Sequence, residues 1–189
     1  MNYPRLVAFT GHAGSGKDSA ASTLIKLGYV RVCFAEALKD IVANLFNLER
    51  QLLEEAQYKT LPMQHLSGAT PRHALQTIGQ AAREVYPDVW VDKTRLKIEQ
   101  LLAENQRVVV TDLRKPNEYA MLRTLKATVI AIERDSIDLS DPIYQHESEK
   151  YIKDLTACCD FVIKNDRSLI DLHLSVRTAL YQTPVVSID

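Results

Sequence analysis

The sequence has almost no charge excess: 23 Lys and Arg against 24 Asp and Glu leave a net charge of -1 over 189 residues. The positive excess that drives binding to a nucleic acid polymer is missing, so no such partner is expected. Long apolar runs are missing too. None approaches the roughly 20 residues that cross a bilayer, and the opening MNYPRLVAFTGHAG holds no signal-like apolar stretch, so no membrane partner and a cytoplasmic location are expected. Cysteine is scarce, at three. Cys33, Cys158 and Cys159 are odd in number and two are adjacent, which suits reduced thiols serving as small buried hydrophobes better than a disulfide framework. His12, His65, His73 and His173 stand at no metal-ligand spacing with these cysteines, and no zinc site is expected. Repeats and low-complexity linkers are absent. What remains is a chain that is 46% hydrophobic, long enough for one domain, residues 1–189, with its own core and a small lid or insert.

Glycine is also sparse, six in all, yet three of the six fall in AFTGHAGSGKDSA (Ala8 to Ala20). Gly11, Gly16 and Lys17 fit the phosphate-loop spacing G-x-x-x-x-G-K-[ST], except that Asp18 stands where a hydroxyl is expected. The flanks support the motif. LVAFT (Leu6 to Thr10) is an apolar run that reads as a strand, and DSAASTLIKLG reads as a helix with Gly28 past its end. In such a loop the glycines let backbone N–H groups turn toward phosphates, the helix offers its positive end, and Lys17 supplies a point charge. Asp18 has two readings. With Mg²⁺ bound it is a ligand, directly or through water, with Ser19 beside it; without a metal it is an acid favoured by the dipole of the helix start.

Further strands are expected at YVRVCF (Tyr29 to Phe34), RVVVT (Arg107 to Thr111), ATVIAI (Ala127 to Ile132) and DFVIKND near the end. Helices are expected at AEALKDIVANLF, with LERQLLEEAQ extending or following it, and at PRHALQTIGQAARE, VWVDKTRLKIEQLLAENQ, NEYAMLRTL and SLIDLHLSVRTAL. Thr70 is placed to cap the helix that Pro71 opens. KTLPMQHLSGAT is the least regular segment. Strands alternating with helices give an α/β sandwich around a parallel sheet, whose ligands sit at the carboxyl ends of the strands. Gly11 to Lys17, Asp112 to Glu118, Glu133 to Arg134 and Asn165 all follow expected strands and should share one rim.

Four blocks, GHAGSGKDSA, TPRHALQTIGQAAR followed by Trp90, TDLRKPNE, and HESE with the later KND, resemble the bacteriophage-type deoxynucleoside monophosphate kinases among the P-loop kinases. They run from Val7 to about Asp166. In that family an Asp after the loop Lys is usual, which makes Asp18 a family feature. The sequence departs from the pattern at GQAAR (Gly79 to Arg83), where a more aromatic and acidic segment is expected, and base preference stays open. The resemblance implies a three-layer sandwich with a five-stranded parallel sheet of order 2-3-1-4-5, helices on both faces, a helical acceptor-binding part at about 35–105 and a short lid at about 134–150. It implies ATP as co-substrate with Mg²⁺, and transfer of the γ-phosphoryl group to a deoxynucleoside monophosphate. The acceptor is already anionic, so positioning and charge neutralisation carry such a reaction.

Gly11, Ala13, Gly14, Ser15, Gly16, Lys17, Asp18 and Ser19 are accordingly the candidates for ATP, and Asp18, Ser19 and Asp112 for the metal. Lys17, Asp18, Asp112, Arg114 and Arg134 are the candidate catalytic residues. Asp112 comes off an apolar strand beside the loop, and Arg114 can face a phosphate with both forks; the other reading of Asp112 and Asn117 is that they shape the turn. Glu118 either orients Arg114 or meets the acceptor sugar, unless it is a solvated first-turn acid. Arg72 and Gln76, four apart on one helix face, are assigned by the resemblance to the acceptor, together with Glu36 and Lys39. Arg83 is either a further acceptor contact or a surface arginine. Trp90 either stacks on the acceptor base or packs in the core. Arg134 is expected at the root of the lid, and His146 and Glu149 match the family without a chemistry that spacing assigns. Two alternatives stay open: a P-loop kinase for another small acceptor, such as dephospho-coenzyme A or a nucleoside, and a regulatory protein that binds ATP without transfer. A homodimer is left open.

Overall fold

The computed structural model describes residues 3–140, 144 and 149–183. Its backbone divides into two compact units, Met1–Cys33 with Arg95–Asp189, and Phe34–Thr94. The first is built on five strands: β1 (Leu6–Thr10), β2 (Tyr29–Val32), β3 (Arg107–Leu113), β4 (Thr128–Glu133) and β5 (Phe161–Lys164). All pairings are parallel and the order is β2-β3-β1-β4-β5, as expected. β1 is buried along its whole length because it lies in the middle and is covered on both faces.

Among the described residues the helices are α1 (Lys17–Ile25), α2 (Glu36–Phe46), α3 (Ala56–Lys59), α4 (Pro71–Val85), α5 (Val89–Ala103), α6 (Pro116–Thr124), α7 (Ile152–Ala157) and α8 (Leu169–Gln182). Side chains alternate across a strand, and Val7 and Phe9 of β1 join Val109, Ile130 and Ile132 in one apolar cluster with Ala20 and Leu24 of α1 and Leu172, Val176 and Leu180 of α8. α8 starts as its sequence directs: the Ser168 hydroxyl accepts from Asp171 N–H, and the Asp171 carboxylate accepts from Ser168 N–H. α7 was not foreseen. Six residues are too few to show a helical period.

The register holds one irregularity that matters for the site. Ala8 pairs with Val110 but Thr10 pairs with Leu113, so β3 carries one residue more than β1 over that interval. The Thr10 hydroxyl donates to the Leu113 carbonyl at 2.9 Å and fixes the bulge. A bulge bends its strand and re-aims the side chains there, and here those are Thr111 and Asp112.

In the second unit, α2 ends at Asn47 in the left-handed conformation (φ 49), which halts the helix before LERQLLEEAQ. That stretch forms a 3-10 turn, Arg50–Leu53, and then the short α3. α4 opens with Thr70 accepting from His73 N–H at 3.1 Å and Pro71 at its first turn, as expected. Leu38, Val42, Leu48, Leu53, Ala74 and Trp90 form the core of this unit. Gly79 permits the packing: a Cβ there would fall 2.8 Å from a Leu38 methyl. Among the described residues no disulfide joins the cysteines. Cys33 is buried as expected, whereas Cys158 is exposed, which corrects the expectation for it: it follows α7, on a surface turn.

Candidate active site

The loop between β1 and α1 has the backbone its glycines imply. Gly11, Gly14 and Gly16 take φ of 140, 75 and 104, values that L side chains rarely adopt. At Gly11 space forbids a side chain as well, since a Cβ would lie 2.3 Å from the Ile132 carbonyl oxygen of β4. Gly16 precedes α1 without a side-chain cap, leaving the helix start to the backbone alone. Inside the loop, the Lys17 ammonium donates to the Gly11 and His12 carbonyls, both at 2.7 Å. Lys17 is buried, and burial first, then the Arg114 charge, pulls its pKa from 10.5 down to about 7, against the opposing pull of Asp18 and Asp112.

The expected rim forms. Asn165, after β5, donates through Nδ2 to the Ser15 carbonyl at 2.8 Å, and its N–H reaches the Glu133 carbonyl at 2.7 Å. Asp18 is exposed and meets Arg31 of β2 at 2.9 Å. The carboxylates of Asp18 and Asp112 both act electrostatically on Lys17 and on Arg31, so the two candidate metal acids share one neighbourhood. Ser19, next after Asp18 in the chain, is exposed. Arg31 is a residue that sequence reading missed: within YVRV it passes as the outward member of an alternating strand.

The turn after β3 is held by Glu118. Its carboxylate accepts from the N–H groups of Arg114 (2.8 Å) and Lys115 (3.0 Å) and is 4% exposed. This corrects the readings of Glu118 as a sugar contact and as a solvated acid: a carboxylate buried against two backbone donors is a turn-former, and it orients Arg114 through the main chain. The Arg114 guanidinium in turn pairs with the buried Glu149. Glu149 also accepts from His12 Nδ1 (3.0 Å) and Ala13 N–H (3.2 Å). Burial first, and then the charges of Lys17 and Arg114, hold His12 below the usual histidine range, against Glu133. The Tyr144 hydroxyl adds a bond to the Ala13 carbonyl at 3.2 Å. Arg134 stands exposed at the end of β4. Of the expected lid, 141–143 and 145–148 lie outside the described residues, and His146 with them.

In the helical unit, Arg72 and Gln76 are half-buried one turn apart on α4, and the Nε of Arg72 is buried without a hydrogen-bond partner. Arg83 Nη1 donates to the Gly79 carbonyl at 3.3 Å. Trp90 is 4% exposed and its Nε1 donates to the same carbonyl at 3.2 Å. That corrects the stacking expectation, because a ring covered on its faces by core side chains offers no platform for a base. Lys39 is buried and meets Glu54 (2.7 Å) and Glu36 (3.4 Å), while Arg50 bridges Glu36, Asp40 and Glu54. Glu36 and Lys39 thus belong to an ionic network that the spacing alone did not announce.

The residues fit a polyphosphate with Mg²⁺. The Ser15 hydroxyl is buried in the loop with no partner, and Lys17 sits there as a cation that burial disfavours. Among the described residues no three His, Cys, Asp or Glu side chains gather into a metal cage; Mg²⁺ beside phosphates needs only one or two carboxylates.

A glycine loop at the carboxyl end of the central strand, feeding a helix in a 2-3-1-4-5 parallel sheet, defines a P-loop kinase. A dephospho-CoA kinase from Campylobacter jejuni shares the fold with a TM-score of 0.54 and 14% identity, over 94% of this chain and 96% of that one. TT1252 from Thermus thermophilus does so with a TM-score of 0.53 and 16% identity, over 97% and 100%. No curated protein sequence matches the chain. Residues 67–176 match the deoxynucleotide monophosphate kinase family, and the chain belongs to that family. It is therefore a kinase, a phosphotransferase with small nucleotides as its substrates.

Proposed function

We propose that the protein transfers the γ-phosphoryl group of ATP to a deoxynucleoside monophosphate and releases the diphosphate. The observation that carries this reading is the union on one rim of two cations of different kinds. Lys17 lies within the glycine loop, and Arg114 is held at the next strand end by Glu118 and Glu149. A protein that only bound ATP would have no use for the second. Family membership supports the choice of acceptor.

In this reading the loop N–H groups, the Ser15 hydroxyl and Lys17 hold the ATP phosphates, and Arg114 holds the phosphate that accepts or is transferred. Asp18, Ser19 and Asp112 are the ligands for Mg²⁺, which when bound offsets phosphate charge and helps orient the transferred group. Arg134 shields charge as transfer proceeds. Arg72, Gln76 and Arg83 of the helical unit bind the acceptor, and the unpartnered Nε of Arg72 supports an anionic ligand there. No side chain is needed to remove a proton, because the attacking phosphate oxygen is already ionised. The test is ADP release with each deoxynucleoside monophosphate, its ribose counterpart, dephospho-coenzyme A and no acceptor. The reading expects turnover only with deoxynucleotides, and turnover with dephospho-coenzyme A alone would replace it.

A further inference from the structure

We propose that Glu149 is a positioning residue for phosphoryl transfer, a single carboxylate that sets Arg114 against the crown of the phosphate loop. The inference rests on the kinase reading and deepens it, giving the carboxylate that pairs with Arg114 a part of its own in transfer. Its side chain is 3% exposed, too buried to be a solvated acid, and an ionised carboxylate so placed has to be compensated by donors. Both of its oxygens are engaged. Oε1 takes the Arg114 guanidinium, while Oε2 takes His12 Nδ1 at 3.0 Å and Ala13 N–H at 3.2 Å.

The consequence is mechanical. Arg114 follows β3 and His12–Ala13 follow β1, so one carboxylate ties together the loops of two adjacent strands. The loop side of the tie is itself stiff, since the His12 carbonyl accepts from Lys17 and the Ala13 carbonyl from Tyr144. The Arg114 side is stiff at the backbone through Glu118. Only the guanidinium remains to be aimed, and Glu149 aims it. The Glu149 carboxylate is paired with the Arg114 guanidinium, and an amide at this position would lose that charge along with one acceptor. Phosphoryl transfer depends on placement to within about an ångström, and such an error costs on the order of a hundredfold.

The experiment is a double-mutant cycle on the full chain: wild type, Glu149→Gln, Arg114→Ala and the double variant, with kcat and KM for ATP and for the best deoxynucleoside monophosphate. Glu149→Gln is expected to lower kcat about thirtyfold while KM for ATP changes less than about threefold. In the Arg114→Ala background it should change kcat by less than about threefold, because the group it positions is gone. Glu149→Asp keeps the charge but shortens the reach, and should restore part of the loss. NMR of the guanidinium should show Arg114 hindered in wild type and freely rotating in Glu149→Gln. An unimpaired kcat in Glu149→Gln overturns the proposal. An equal loss in both backgrounds also overturns it, for then the effect does not pass through Arg114. A wild type without acceptor-dependent turnover would overturn the kinase reading and this role with it, while the NMR signal still reports separately whether the pair exists.

Discussion

Lys17 carries the sharpest pH signature in the site. Its pKa falls from 10.5 unfolded to about 7 folded, so between those values the unfolded chain binds the extra proton. This group's contribution to stability therefore rises as pH climbs from about 7 toward 10.5 and is unfavourable below that window. A bound polyphosphate favours the ammonium, so ATP binding near pH 8 to 9 should take up a proton. Calorimetry in two buffers of different ionisation enthalpy measures that uptake, and Lys17→Met should abolish it. Gly11→Ala is a second expectation at this scale. With φ at 140 and a backbone oxygen 2.3 Å from the new methyl, neither strain nor clash can relax cheaply, and a loss of about 2–4 kcal/mol is expected from urea unfolding. Arg31→Ala, by contrast, removes a pair exposed at 45% and 78%, and should cost less than about 1 kcal/mol. Loop residues were legible in the sequence because glycine spacing reports backbone conformation directly. Glu149 was not, since its three partners lie at sequence separations of 35 or more and no local pattern encodes them.

Among elements, those with a strong local signal were read closely. Thr70 and Pro71 announce the start of α4, and Thr70→Ala should cost about 1 kcal/mol of the helical unit's stability, read by urea denaturation. The five strands were legible as apolar runs, while their order, β2-β3-β1-β4-β5, came only with the family resemblance. The bulge in β3 was not legible, because the extra residue shows only when Val110 and Leu113 are set against Ala8 and Thr10. Trp90 kept two readings, stacking and core packing, for a related reason. A lone aromatic looks the same in sequence whether its face is open or covered. Trp90→Ala should destabilise the helical unit by about 3–5 kcal/mol, and the loss should appear in unfolding before it appears in nucleotide affinity. The ionic network around Lys39 adds a pH dependence to this unit. Burial opposes it, but the Lys39 hydrogen bond and the Lys39 and Arg50 charges hold Glu54 below its usual range. That stabilisation is present above the ordinary glutamate pKa and is lost as pH falls through the lowered one.

For the whole molecule, positive and negative charges nearly cancel, and no described helix is long and apolar enough to cross a membrane. The parallel sheet explains why the site lies where it does. Strand ends deliver the glycine loop, Asp112, Arg114 and Asn165 to one rim, although they are scattered from residue 11 to residue 165. Kinship with a dephospho-CoA kinase at 14% identity extends to the fold, and acceptor choice has to be argued from the site and measured. The most direct measurement is ADP production from ATP and Mg²⁺ with each of the four deoxynucleoside monophosphates, for wild type and Arg114→Ala. The account predicts turnover that requires a deoxynucleotide and falls about a hundredfold or more in the variant. ATP binding without turnover on any of them, or full activity in Arg114→Ala, would contradict it.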